Sequence, residues 1–208
     1  MNVCPLFLRR LAGMAFLAAA FLSGTGCETS KDADKGERSL SFPMPKSMAG
    51  GAGTGKWTSL PREGGTEYVQ VLGDMEDVVS FYGFSHPVAP AVKTFDDMET
   101  LMRADNSLGF RTLERGEILG IPVLWFEKEA TEKGSGSETL ASTLKAKPRQ
   151  PGGTYLVRTR GVFMLQTGAQ PKFVTIACAR TSVHGQIGPV YESQFRAWLT
   201  SIVETCFL

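Results

Sequence analysis

Histidine is almost missing from this chain: His86 and His184 are the only two among 208 residues. Two distant imidazoles, with no carboxylate-histidine pattern beside either, argue against a metal centre. An excess of one charge is missing as well. Lysine and arginine number 22 and aspartate and glutamate 21, a formal net charge of +1 at pH 7. No field of one sign is available to grip nucleic acid or an acidic surface. Leu11 to Leu22 is the main apolar run, broken at Gly13, and it is shorter than the roughly 20 residues that span a bilayer. Cysteine is scarce, at four, which excludes a disulfide-dense scaffold. No internal repeat is visible.

What is present begins with an export pattern. Arg9 and Arg10 supply a positive start, Leu11 to Leu22 the apolar stretch, and Ser23-Gly24-Thr25-Gly26 the small side chains a peptidase pocket requires. Cys27 follows at once. The order resembles the lipobox of bacterial lipoproteins, with Gly24 standing where that motif carries Leu, Val or Ile. The resemblance implies a signal peptide over residues 1–26 and Cys27 as the mature N-terminus, bearing thioether-linked diacylglycerol and an N-acyl chain such as palmitate. Each buried methylene contributes ~0.8 kcal/mol, so several chains anchor firmly where one would not. Glu28, not Asp, follows the cysteine, which leans toward the outer membrane over the inner. Leu8 and Leu11-Ala12 around the arginine pair do not complete a twin-arginine signal. A protein placed this way is membrane-anchored and faces the periplasm.

Removing residues 1–26 takes away two arginines and no acid, leaving 20 basic and 21 acidic residues. Residues 28–39 are polar and charged and cannot bury enough apolar surface to order themselves. They read, with Cys27, as a tether over 27–39, followed by a single domain over 40–208 of ordinary globular composition. Cys4 leaves with the signal and Cys27 is lipidated, so Cys178 and Cys206 remain in an oxidising compartment. Paired, they would tie a strand to the terminal helix and stabilise the fold by ~3–4 kcal/mol. Unpaired, one is a buried strand thiol and the other a thiol near the chain end.

The domain is expected to open with a short edge strand at Leu40-Ser41-Phe42-Pro43, stopped by proline. Met48 to Lys56 is glycine-rich. Residues 67–72 and 77–84 alternate as strands around a turn at Gly73-Asp74. Thr94 caps a helix, with Asp97 completing a capping box and Phe95, Met98, Leu101 and Met102 forming one stripe. Residues 110–117 and 122–130 read as strands, with Ile118-Leu119-Gly120-Ile121 between them. Thr131 to Gly153 reads as a surface insertion. Residues 154–167 and 172–180 are strands, the second apolar on both faces and so central in a covered sheet. Tyr191 to Cys206 carries Phe195, Trp198, Leu199, Ile202 and Val203 on one face. Burying the first four of these five contributes at most about 6–12 kcal/mol.

The expected fold class is α+β: an antiparallel sheet of about five to seven strands flanked by helices. Three segments carry a family resemblance. Leu40-Ser41-Phe42-Pro43-Met44-Pro45 is similar to an opening aromatic-proline strand. Gly120-Ile121-Pro122-Val123 is similar to a Gly-x-small lead into middle strands. Phe195-x-x-Trp198-Leu199-x-Ser201-Ile202 resembles a closing helix that reads Phe-x-x-Ile-Leu-x-Ser-Ile. These are packing motifs of the PsbP/Mog family, and the lipid anchor plus one domain resembles its DcrB-like bacterial lipoproteins. The resemblance implies an αβα sandwich and a non-enzymatic binding role. The glycine-rich 48–56 and the insertion at 131–153 depart from the family pattern.

The residues offer several candidate chemistries. Gly50-x-x-x-x-Gly55-Lys56 matches most of a phosphate-cradling loop, but Trp57 stands where Ser or Thr must reach Mg²⁺ and no apolar strand precedes it. No nucleotide and no cofactor is expected. Cys178 and His184 form a nucleophile-base candidate for an envelope hydrolase, without a visible third group. Asp96, Asp97 and Glu99 fit a helix start better than paired catalytic carboxylates. Trp57, Tyr82, Trp125 and Phe163 could line an aromatic ligand groove or simply be core. The leading expectation is a non-enzymatic, lipid-anchored binding or assembly accessory with a protein or envelope-component partner. The alternatives are a small-ligand-binding lipoprotein using the aromatic groove, or a hydrolase.

Overall fold

Every strand of the computed structural model joins one sheet; the residues described are 42–44, 56–72, 75–134, 139–168 and 170–208. The signal segment, Cys27, the tether, Leu40-Ser41, the glycine-rich run at 48–55 and the Gly73-Asp74 turn lie outside them. The strands are β1 (Thr58–Arg62), β2 (Gly65–Val71), β3 (Val78–Pro87), β4 (Phe110–Ile118), β5 (Ile121–Lys133), β6 (Thr154–Gln166) and β7 (Lys172–Ser182). The helices are α1 (Phe95–Ala104), α2 (Thr139–Leu144) and α3 (Pro189–Cys206). Strand order is β1-β2-β3-β7-β6-β5-β4, antiparallel throughout. The chain runs up one half as a meander, crosses through α1 to the far edge, and returns so that β7 closes against β3.

Alternation along the strands builds two cores. Phe81, Val123, Val162, Ile176 and Cys178 point to one face, where α3 lays down Phe195, Trp198, Leu199, Ile202 and Val203. Leu124, Phe126, Phe163 and Ala177 point to the other, against Met98 and Met102 of α1. On that second face α2 covers Val69 and Val78 through Ala141. The mixed α+β class therefore holds, with a seven-stranded antiparallel sheet and a few helices packed on it. β7 is central, as its two-sided apolar pattern requires.

Local chemistry sets the boundaries. Thr94 Oγ1 accepts from Asp97 N at 3.1 Å, and Asp97 Oδ2 accepts from Thr94 N at 2.9 Å, the expected capping box. Leu119 and Gly120, with φ +51° and +79°, form a two-residue turn joining the paired Ile118 and Ile121. That is the twist-matched hairpin geometry.

Two expectations change, and one open alternative resolves. Among the described residues the edge strand on this side is β1; of the strand expected at 40–43, Leu40-Ser41 lie outside them. Phe42-Pro43-Met44 pairs with no strand; instead the Phe42 ring lies over Gly83, where an added Cβ would come within 2.3 Å of it. Tyr68 donates its hydroxyl to Phe42 O at 2.6 Å, and Trp198 donates Nε1–H to Pro43 O at 2.8 Å. Proline cannot complete a ladder, but its carbonyl accepts from a side chain freely. The insertion at 131–153 is not merely a surface excursion either. It lengthens β5 to Lys133 and supplies α2, whose Ala141 is buried. Arg149, also buried, meets Glu132 at 3.0 Å. Finally, Cys178 and Cys206 are not bridged: both are buried thiols, on central β7 and in the last turn of α3.

Candidate functional site

The α3 face of the sheet is apolar over most of its length and turns ionic beneath the helix start. Strand parity explains it. Trp125, Glu127 and Glu129 alternate on one face of β5, as do Val162, Arg160 and Arg158 on β6 and Cys178 and Arg180 on β7. Register sets Glu127 opposite Arg160, Glu129 opposite Arg158, and Arg158 opposite Arg180. On β4 a bulge between Phe110 and Thr112 turns Arg111 into the same row.

Arg111, Glu127, Glu129, Arg158, Arg160 and Glu192 are among the side chains lining a cleft of about 280 Å³ between the strands and the start of α3. Arg160 holds Glu127 through Nε at 2.8 Å and also through Nη2, and reaches Glu192 of α3 with Nη1 at 3.0 Å. Glu129 Oε2 accepts from Arg158 Nε at 2.9 Å and from Arg111 Nη1 at 3.1 Å. Alongside, Arg180 grips Asp77 with two bonds, at 2.9 and 2.7 Å, and donates to Gln186 O at 2.7 Å. The hydrogen bonds to Asp77 push the Arg180 pKa up. Gly188 caps α3 with no side-chain bond, and Pro189 occupies its first turn. The helix start brings partial positive charge to the cleft, and Glu192 is the acidic side chain of its first turn.

The sequence candidates fall elsewhere. Cys178 lies beneath Arg160 in the core, and burial drives its thiol pKa far up, with Glu192 adding to the effect. His184 is exposed in the loop beyond β7. A nucleophile must be a reachable thiolate, so the structure gives this pair no catalytic arrangement. The four aromatics are split between faces and line no common groove. Trp57 is buried against Phe81 with centroids 5.1 Å apart, and Trp125 packs on the same α3-side core. Tyr82 and Phe163 belong to the opposite core. Of the phosphate-loop pattern, Lys56 is exposed and Trp57 is core, while residues 50–55 lie outside the described set. Asp96 and Glu99 take Arg115 at 2.7 and 3.2 Å, and Asp97 serves the cap. Its carboxyl pKa is lowered by the Lys93 amide, the Thr94 hydroxyl and the Thr94 amide. Among the described residues, no group of three His, Cys, Asp or Glu could hold a metal ion. Nor does any described helix have the length and apolarity to cross a membrane.

The ionic row was missed in the sequence, although a signal existed. Glu-x-Glu at 127 and 129 and Arg-x-Arg at 158 and 160 place two like charges on one face of each strand. Opposite charge on adjacent antiparallel strands is the pattern that stabilises such a pair. Compared with known proteins, the chain matches no family model, no curated protein and no solved structure.

Proposed function

We propose that this chain is a non-enzymatic, lipid-anchored envelope protein, a binding or assembly accessory held at a membrane through acyl chains on Cys27 and facing the periplasm. The export pattern from Arg9 to Cys27 supports the anchor, and Glu28 favours the outer membrane. One structural observation carries the binding role. The aromatic and sulfur side chains that could have served a pocket or a reaction are taken up in the two cores, while the concave surface offers paired charges. Such a surface suits reversible recognition of a charged partner, where complementarity sets specificity more than raw affinity. The layering, with α3 on one face and α1 and α2 on the other, favours the PsbP/Mog-type sandwich as the finer description.

Two measurements test the reading. The Cys27→Ala variant is expected to leave the membrane fraction, and intact mass of the native chain to show acylation with residues 1–26 removed; a membrane-bound variant or an unmodified thiol overturns the anchor. A photoreactive residue placed at exposed Gln186 is expected to give a discrete adduct in intact cells, whereas one at Arg103 on α1 is not. Equal labelling from both positions overturns the cleft as the binding surface.

A further inference from the structure

We propose that the outer face of α3 docks on the same face of a second copy of this chain, antiparallel, about a two-fold axis level with Leu199. This pairing depends on neither the anchor nor the cleft.

α3 turns Phe195, Trp198, Leu199, Ile202, Val203 and Cys206 inward to the core. Its opposite side carries Val190, Ser193, Ala197, Ser201, Thr205 and, just past the helix end, Leu208, all exposed and none charged. The solvent face of a helix ordinarily carries charged and polar residues. Here the middle is small and both ends are apolar, with Val190 66% exposed and Leu208 58%. Small side chains at a contact let two helix axes approach to the low end of the usual spacing of about 8–10 Å. The stripe is also a palindrome about Leu199. Val190 mirrors Leu208, Ser193 mirrors Thr205, and Ala197 mirrors Ser201, each pair equidistant from Leu199 along the chain. An isologous two-fold contact needs that property, since residue i meets j and j meets i. With the helices antiparallel, Ala197 packs on Ser201 of the second copy, and each Val190 covers the other copy's Leu208.

A stripe of small residues names no occupant by itself; the charges beside it do. Arg196 follows Ser193 by three positions and Glu204 follows Ser201 by three, so both lie along one border of the stripe. Both are exposed, and neither has an ion-pair partner among the described residues. Glu204 is unfavourably placed within its own chain. It stands in the last turn of α3, where the helix carries partial negative charge and no basic side chain answers it. Arg196 holds its guanidinium over the Trp125 ring at 5.9 Å, which leaves its N–H donors free for a carboxylate. The antiparallel pairing brings Arg196 of each copy within a turn of Glu204 of the other, two equivalent ion pairs. A parallel pairing would set Arg196 against Arg196 and Glu204 against Glu204. Area sets the strength: α3 has 18 residues, a stripe about 27 Å long. One such helix pair falls short of the ~1,200–2,000 Å² of a standard stable interface, so the association is weak and concentration-dependent.

Sedimentation of the full-length protein in neutral detergent, over a dilution series, is expected to show a monomer–dimer equilibrium. Ala197→Glu, at an exposed position, should raise its Kd by at least about tenfold. Arg196→Glu should weaken the dimer, and Arg196→Glu/Glu204→Arg should restore it, because the swapped charges meet again across the axis. Loss of the Trp125 contact alone could not produce that rescue. In native membranes, Ala197→Cys coexpressed with Ser201→Cys should cross-link under mild oxidant faster than either variant with itself. A monomer at every concentration, a swap that rescues nothing, faster cross-linking of like positions, or cross-links only to a different protein overturns the proposal.

Discussion

Leu119 and Lys145 are the non-glycine residues that hold positive φ among the described residues, at +51° and +52°. Each sits where glycine or asparagine is preferred: Leu119 in the hairpin turn, Lys145 after α2. There Ala146 N–H bonds Ala141 O and Lys145 N–H bonds Ser142 O, the paired bonds of a helix stop with its left-handed residue at 145. Left-handed backbone costs a residue with a Cβ about 1 kcal/mol. Lys145→Gly and Leu119→Gly are each expected to raise stability by up to ~1 kcal/mol, offset in part by the entropy glycine adds to the unfolded chain. Denaturant midpoints at constant slope check this. His86 gives a pH-dependent counterpart. Burial lowers its pKa below the usual 6.5, and Glu63 only partly opposes that. The unfolded chain then takes up its proton first as pH falls. Stability from this group is present above about pH 6.5 and is lost below it, down toward the folded pKa. His86→Gln should flatten that part of the stability-pH curve, and an unchanged slope would sink the assignment.

At the scale of elements, glycines in two central strands mark where another group needs the space. At Gly161 of β6 a Cβ would meet Ala177 Cβ and Ile176 O at 2.6 Å and Phe126 Cε1 at 2.7 Å. These neighbours belong to packed strands, so Gly161→Ala is expected to cost about 1–3 kcal/mol by overpacking. At Gly83 the group in the way is the Phe42 ring, which can move out. Gly83→Ala should instead release the 42–44 segment, seen as faster proteolysis upstream of Lys56 with little change in sheet amide exchange. The elements legible in the sequence were those with strong periodicity. The stripe from Tyr191 to Cys206 and the cap at Thr94 announce helices, and the two-sided apolar run around Ile176 announces a central strand. β1 was not legible, because Thr58-Ser59-Leu60-Pro61-Arg62 has one apolar side chain and a proline, and becomes a strand only by pairing with β2. The ionic cleft escaped for a related reason. Its partners lie on three strands and a helix, and cross-strand register is set by the whole sheet and not by any single segment.

For the molecule as a whole, the two thiols are built-in reporters. Cys178 and Cys206 belong to one core but to different elements. Under native conditions both are expected to label with an alkylating reagent at one common rate, that of global opening, and both should titrate in denaturant without reductant. Much faster labelling at Cys206 would show that α3 detaches by itself. No titratable thiol at the two positions would show a bridge after all.

The bond from Trp198 to Pro43 has a temporal side. The first part of the domain to be synthesised is seated by one of the last, and β3 likewise waits for β7 across the whole α1–β6 stretch. A nascent chain cannot close this sheet until nearly every residue has been made, so β3 keeps one unpaired edge until β7 arrives.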